Sequence, residues 1–251
     1  MGMPGANGSI PRISTSGAGT APWSKAEPAS ILYRDLPRLS VDINLTYLPV
    51  MNRADSLAEI DAALDRIAAG IERTVKGART QRMAGGRGGE TWVFARLGSA
   101  EIKIETSPVM RGVVHEPEWR EVSEAVQDRY GYAEIQVVSF EDLFGGKLHA
   151  ALDRQHPRDL FDVKLLYDNE GLTEGMFRVF LVHVASSYRP PHELLGPRAY
   201  DHDQVFRQEF AGMTREPVAL VGHAASKVTL SRRTSAEGRA GEAAWRLSRR
   251  E

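Results

Sequence analysis

The chain has 251 residues, of which 42% are hydrophobic, enough for a substantial core. Its 32 Lys and Arg residues almost balance 33 Asp and Glu residues, so any nucleic-acid or membrane site must be a local patch. Cysteine is absent, which excludes disulfides, thiolate metal ligands and cysteine nucleophiles. No apolar run approaches the roughly 18–20 residues of a membrane span. We therefore expect a cytoplasmic protein with no membrane partner.

The two ends of the sequence differ in composition from its middle. Residues 1–28 are rich in Gly, Ser, Pro and Ala and lack a period of 2 or 3.6, which predicts disorder. Residues 217–251 predict a disordered, solvated tail, although their basic side chains could instead contact nucleic acid. Between the ends we predict a core over 29–138 and a helical C-terminal region over 139–216.

The predicted core begins with a strand, because apolar and polar residues alternate from Ser40 to Tyr47. A helix follows, capped by Asp55 or Ser56, with apolar residues at helical spacing up to Val75. Two strands, "TWVFARL" and "EIKIET", then form a hairpin around Gly98-Ser99. After an irregular 107–134 segment, "IQVVS" predicts a further short strand.

Three helices are predicted in the C-terminal region. Ser139 begins "SFEDLFGGKLHAALDRQ", with Asp142 three residues later as in a capping box. Pro157 starts "PRDLFDVKLLYDNEG", which Gly171 ends. A third helix runs from about Thr173 to Ser187, before the proline-rich loop "YRPPHELLGP".

The polar face of the first strand carries Asp42 and Asn44, two residues apart. Their oxygens can converge on one cation, and Mg²⁺ prefers such ligands. A polar strand face open to water would give the same pattern. Glu105 alternates with apolar residues in "EIKIET" and could face the same side from a neighbouring strand.

The segment "GGKLHAALDRQHPRDLFD" is the richest in charge. Lys147 and Arg154 lie seven residues apart, on one helix face. Arg158, Asp159 and Asp162 follow the Pro157 break. The surrounding apolar residues bury both helices, and charges beside a core usually need a partner or a ligand. Lys147 suits the binding of a triphosphate, and Asp162 could orient Lys147 or accept a proton. The alternative is that these charged residues form a solvated ion-pair surface.

Three other patterns point to different chemistry and are weaker. His149 and His156 lack the acidic partner of an H-E-x-x-H metal motif, so we favour structural roles. Gly145-Gly146 before Lys147 does not satisfy the P-loop pattern. Glu101-Ile-Lys103 fits the E-x-K pattern of some nucleases, so a nuclease is one alternative function, ranked below the two that are given next.

Together, "RLSVDINLTYL" and "GGKLHAALDRQHPRDLFDVKLL" resemble the AbiEii/AbiGii family of nucleotidyltransferase-like toxins from type IV toxin–antitoxin and phage-exclusion systems. The resemblance covers roughly residues 31–215. It implies an α/β (α+β) fold, with a nucleotidyltransferase-like mixed sheet, packed helices and a helical C-terminal region. It also implies three groups of site residues: catalytic Asp42, Lys147 and Asp162; nucleotide-binding Ser40, Arg154 and Arg158; and metal-binding Asp42, Asn44 and Glu105.

The chemistry implied by the resemblance is Mg²⁺-dependent transfer of a nucleoside monophosphate from an NTP, with pyrophosphate leaving. In the family the acceptor can be the 3′ end of tRNA, and the antitoxin is typically a separate winged-helix protein encoded nearby. This chain departs from the pattern at Asn44, which replaces a carboxylate, and upstream of Asp42, where the family's glycine-rich turn is missing. These departures leave an alternative: a catalytically degenerate relative that binds nucleotide, RNA or antitoxin.

Overall fold

The computed structural model describes residues 23–25, 32–40, 42–84, 91–106, 112–195 and 203–218. These residues form seven strands and seven helices, in two compact units. The first unit comprises the chain up to Gly112 together with Pro117–Val137. The second unit comprises Val113–Glu116 and the chain from Val138. The described part of the chain has no helix that is both long and apolar enough to cross a membrane.

The first unit contains one mixed sheet. Its strands are β1 (Trp23–Lys25), β2 (Asp42–Tyr47), β3 (Arg79–Ala84), β4 (Thr91–Leu97), β5 (Ala100–Thr106), β6 (Glu118–Glu121) and β7 (Glu134–Val137), in the spatial order β3-β4-β5-β2-β1-β7-β6. β2 runs parallel to β5 and β1 runs parallel to β7, whereas the other neighbours are antiparallel. The predicted α/β class with a mixed sheet is confirmed.

Helix α1 (Arg53–Thr74) covers one face of this sheet. Its apolar stripe packs against strand residues to form the core of Tyr47, Ile60, Leu64, Ala68, Val93 and Ile104. Because successive strand side chains point to opposite faces, the residues between the core positions project from the other face. We call that other face of β3, β4, β5 and β2 the open face.

Several predicted elements of the first unit are confirmed, and one boundary is corrected. β2, the β4–β5 hairpin and β7 lie where the sequence predicted them. The first helix begins at Arg53 and not at Asp55 or Ser56, because the Asn52 side chain accepts a hydrogen bond from Asp55 N at 3.0 Å and is the N-cap. The unit also contains α2 (Glu124–Tyr130) and β6, both in the segment predicted to be irregular.

The predictions for the chain ends fall mostly outside the described residues. Within 1–28, however, Trp23–Lys25 form β1, which pairs with both β2 and β7. Disorder is therefore the wrong prediction for these three residues. Pairing on both sides supplies order that the local sequence does not encode.

The described residues of the second unit form five helices: α3 (Phe140–Asp153), α4 (Pro157–Asn169), α5 (Glu174–Ser186), α6 (Pro191–Leu195) and α7 (Asp203–Glu209). The three longer helices confirm the sequence prediction, whereas α6 lies in the predicted proline-rich loop. Ser139 caps α3, since Asp142 N donates to its hydroxyl oxygen at 3.0 Å. Gly171, with φ of 75°, follows α4 as predicted.

Gly145 allows α3 and α5 to pack closely. A Cβ atom at this position would lie 2.6 Å from Val179 Cγ1 and 3.0 Å from Phe180 N. Both distances are too short for an undisturbed contact. The glycine pair that failed the P-loop pattern therefore includes a residue that helix packing requires.

Candidate functional site

The open face brings together four polar side chains of β2 and β5. The parallel register places Asp42 beside Lys103 and Asn44 beside Glu105. All four residues are partly buried. Lys103 and Glu105, two residues apart on β5, form an ion pair. The predicted adjacency of Asp42, Asn44 and Glu105 is therefore present in the structure.

Two aromatic residues of β4 extend this face. Trp92 pairs with Glu105 and Phe94 pairs with Lys103 in the antiparallel β4–β5 register. The Lys103 ammonium lies 4.8 Å from the centroid of the Trp92 ring, within the range of a cation–π contact. Oxygen ligands, a cation and aromatic rings thus occupy neighbouring strands of one surface.

The oxygen set fits a metal ion that binds together with a nucleotide. Among the described residues, no group of three or more His, Asp or Glu side chains is arranged to hold a metal. Mg²⁺, however, commonly takes only one or two protein carboxylates and completes its shell with phosphate oxygens and water. Asp42, Asn44 and Glu105 supply two carboxylates and one amide oxygen, which matches that chemistry.

Ser40 lies just before β2 and is exposed. Its hydroxyl is 3.5 Å from the backbone carbonyl oxygen of Asp42, at the outer limit of a hydrogen bond. The residue is thus close to Asp42 along the chain and held only weakly by this contact.

A buried ion pair joins α3 to α4 in the second unit. Lys147 Nζ lies 2.7 Å from Asp162 Oδ2, and the two side chains are only 4% and 7% exposed. The turn after α3 lets the two helices pack, with Gln155 at a φ of 54°. Because a buried charge is costly without a partner, this ion pair stabilises both side chains in their buried positions. The sequence prediction that Asp162 could orient Lys147 agrees with this geometry.

Two comparisons with known proteins bear on this arrangement. The profile of the family described as "Nucleotidyl transferase AbiEii toxin, Type IV TA system" matches residues 30–227. The chain belongs to the AbiEii nucleotidyltransferase toxin family. This result confirms the resemblance inferred from the two sequence motifs.

A solved structure of similar fold is that of MenT4, a nucleotidyltransferase toxin from Mycobacterium tuberculosis H37Rv. It superposes on the AbiEii-family chain with a TM-score of 0.61 at 15% identity, covering 88% of this chain and 78% of MenT4. At this identity the likeness shows a shared fold. No curated protein sequence matches the chain.

The two predicted arginines of this AbiEii chain lie near Lys147 in sequence but differ from it in environment. Arg154 caps the C-terminus of α3, its side chain is 60% exposed, and its Nη2 donates to Asp159 Oδ1 at 3.0 Å. Arg158, in the first turn of α4, is partly buried. Lys147 and Arg154 are thus seven residues apart, but the first is buried and the second is exposed.

Asp142, which the sequence suggested only as a capping residue, organises the start of the second unit. Its carboxylate accepts hydrogen bonds from Val114 N at 2.7 Å, His115 N at 2.9 Å and Ser139 Oγ at 2.7 Å. These bonds fix the Val113–Glu116 segment against α3. The role is structural.

The histidines considered as metal ligands have structural positions. His156 caps α4, with its Nδ1 accepting from Arg158 N at 3.1 Å and its Nε2 3.0 Å from Glu209 Oε2. His149 faces His183 of α5, with ring centroids 5.8 Å apart. Burial lowers the pKa of His149, and burial together with the neighbouring His149 lowers the pKa of His183 to about 4.

The nuclease alternative rested on Glu101 and Lys103, and both have ion-pair partners. Glu101 pairs with Arg96 across the hairpin, and Lys103 pairs with Glu105. Lys103 also lies beside Asp42 and Glu105 on the open face, a position that the E-x-K pattern does not indicate. Its spacing of two from Glu105 on a strand was the available signal, because such residues share a sheet face.

Proposed function

We propose that this AbiEii-family toxin transfers a nucleoside monophosphate from an NTP to a hydroxyl of an acceptor such as the 3′ end of tRNA, with pyrophosphate leaving. The observation that carries the proposal is the oxygen set of Asp42, Asn44 and Glu105 on adjacent strands of the open face. Such a set suits a magnesium-bound triphosphate better than a metal ion alone.

The oxygen atoms of Asp42, Asn44 and Glu105 would hold Mg²⁺. When bound, the metal supplies positive charge that offsets the charge on the transferring phosphoryl group. Lys103, through its ion pair with Glu105, keeps that carboxylate in place on the open face.

Lys147 provides a fixed ammonium for a phosphate oxygen. Its ion pair with Asp162 holds the side chain in one position. Asp162 either orients Lys147 or accepts the proton of the acceptor hydroxyl. Ser40, Arg154 and Arg158 are the further nucleotide contacts in this proposal, Ser40 through its hydroxyl and the arginines through their guanidinium groups.

We further propose a cytoplasmic location, where NTPs and tRNA are available, and a separate winged-helix antitoxin as the cognate partner. Both proposals follow from membership of a type IV toxin–antitoxin family. The oxygen ligands and the buried Lys147–Asp162 pair support the enzymatic part of the proposal. Co-purification is the experiment that would identify the antitoxin.

The test is a transfer assay. The purified protein is incubated with Mg²⁺, each of the four NTPs labelled at the α-phosphate, and total tRNA. We expect label in RNA with at least one NTP, and none with Asp42→Ala, because Mg²⁺ loses a carboxylate ligand and no longer offsets the charge on the transferring phosphoryl group. Asp65→Ala, which removes an exposed carboxylate of α1, is the matched control and should remain active. Absence of label in every RNA, from a folded preparation, would reject the proposal, as would full activity in Asp42→Ala.

A second candidate is a relative that binds nucleotide, RNA or antitoxin without transferring anything. It is favoured by Asn44, which contributes no charge, and by the Lys103–Glu105 ion pair, which neutralises one of the two carboxylates. NTP binding that Mg²⁺ leaves unchanged, without turnover, would support this candidate. Transfer activity that appears only in Asn44→Asp would establish the missing carboxylate as the reason.

A further inference from the structure

We propose that Trp92, with Phe94 beside it, is the platform on which the base of the bound nucleotide stacks. The inference rests on the proposed function, since it identifies a base-binding surface next to the proposed phosphate-binding ligands. β4 lies outside both of the sequence motifs that resemble the family.

The strand register sets the distance between the two surfaces. Trp92 is the cross-strand partner of Glu105, which is in turn the partner of Asn44. Neighbouring strands lie about 4.8 Å apart, so the Trp92 backbone is about 10 Å from that of Asn44. A nucleotide with its phosphates at Asp42 and Asn44 can therefore place its ribose over β5 and its base over β4.

The chemistry of the two surfaces is complementary to the two ends of a nucleotide. Ligand sites combine aromatic surface with a few well-placed polar groups. Here the metal ligands lie on β2 and β5, and the aromatic rings lie on β4, all on the open face. The buried aromatic residue of β2, Tyr47, instead faces the core beneath α1.

The ring of Trp92 is oriented before any ligand binds. The Lys103 ammonium lies over one side of the ring, and its ion pair with Glu105 holds it there. Trp92 is nevertheless only partly buried, so aromatic surface stays accessible. A base can stack on such a surface with little further ordering, and every base offers the required π face.

Cross-strand packing is the other role that an aromatic residue can have in a sheet. The two roles differ in one measurable respect. A stacking platform affects only ligands that have a base, whereas a packing residue affects the whole face. Inorganic tripolyphosphate with Mg²⁺ retains the phosphate part of an NTP and lacks the base, so it separates the two.

The experiment measures the affinity of the full-length protein for the preferred NTP and for tripolyphosphate, both with Mg²⁺, by calorimetry. For Trp92→Ala we expect about tenfold or greater loss of NTP affinity and unchanged tripolyphosphate affinity. Trp92→Phe retains an aromatic ring and should lose less. Trp119→Ala is the matched control, because Trp119 is 58% exposed on β6, at the far edge of the sheet, and should leave both affinities unchanged.

Equal losses for the two ligands, or no loss for the NTP, would overturn the platform. So would unchanged NTP affinity with a raised KM for the RNA acceptor, because the ring would then serve the acceptor. A wild-type protein that binds NTP but transfers nothing would refute the proposed function, while the ratio of the two affinities would still decide the platform. A wild-type protein that binds no NTP refutes both.

Discussion

Replacing the buried Lys147–Asp162 pair one residue at a time, and then together, should separate its structural role from its proposed catalytic role. The ion pair is short, at 2.7 Å, and almost inaccessible, with exposures of 4% and 7%. Removing one partner of such a pair deprives the other buried charge of its ion pair, which costs about 3–5 kcal/mol. Lys147→Met and Asp162→Leu should each destabilise the protein by that amount. The double variant should be close to wild type, since apolar residues of similar volume replace both charges.

Urea unfolding followed by circular dichroism measures the stabilities, and the labelled-NTP assay measures transfer. We expect the double variant to recover most of the lost stability and none of the lost activity, because the ammonium proposed to contact phosphate is gone. Recovery of activity in the double variant would show that the pair only supports folding. A double variant as unstable as the single variants would refute the reasoning about paired burial.

Three further predictions concern other residues. The pKa of His183 is lowered to about 4, from an ordinary value of 6.5, so the folded state favours the neutral ring. The stability that the neutral His183 ring contributes is complete above pH 6.5 and is lost as the pH falls towards 4. At pH 5 the loss is about 2 kcal/mol. Wild type should lose that much more stability than His183→Asn between pH 7.5 and pH 5, and equal losses would contradict the assignment. Gly145→Ala should lower the free energy of unfolding by about 1–3 kcal/mol through overpacking, whereas Gly146→Ala, whose Cβ meets only the His183 ring at 3.2 Å, should have a smaller effect in the same urea titration. Asn44→Asp should raise Mg²⁺ affinity on the order of tenfold in calorimetry with NTP present, and an unchanged affinity would remove Asn44 from the ligand set.

The sequence predicts those elements whose local pattern agrees with their final environment. β2, β4 and β5 alternate between core and open face, and the helices of the second unit have caps that can be recognised. β3 escapes prediction because Arg82 occupies a core-side position, where it reaches Asp61 and Asp65 at the edge of α1. α2, with seven residues, is too short for a reliable helical period.

The candidate site likewise has contacts that the sequence predicts and contacts that it does not. The β4–β5 register follows from the two-residue turn at Gly98-Ser99, so the pairing of Trp92 with Glu105 was accessible from the sequence. The placement of β2 beside β5 was not, because it depends on a parallel pairing between strands that are distant in the chain. Lys147 and Asp162 are close in sequence, but only the packing of α3 on α4 shows that they share one buried position.

The charges around position 44 are the reason why we expect the substrate to bring its own metal. Among the four polar residues of β2 and β5, Asp42 and Glu105 contribute two negative charges, Lys103 contributes one positive charge and Asn44 contributes none, so these four side chains sum to −1. A carboxylate at position 44 would make the face more negative, favouring free Mg²⁺ and repelling a triphosphate in its absence. With asparagine there, the attraction for a bare cation is weaker and the repulsion of phosphate is smaller. The face is therefore suited to a magnesium–nucleotide complex that binds as a unit, and the stacking of its base on Trp92 would supply affinity that the missing carboxylate does not.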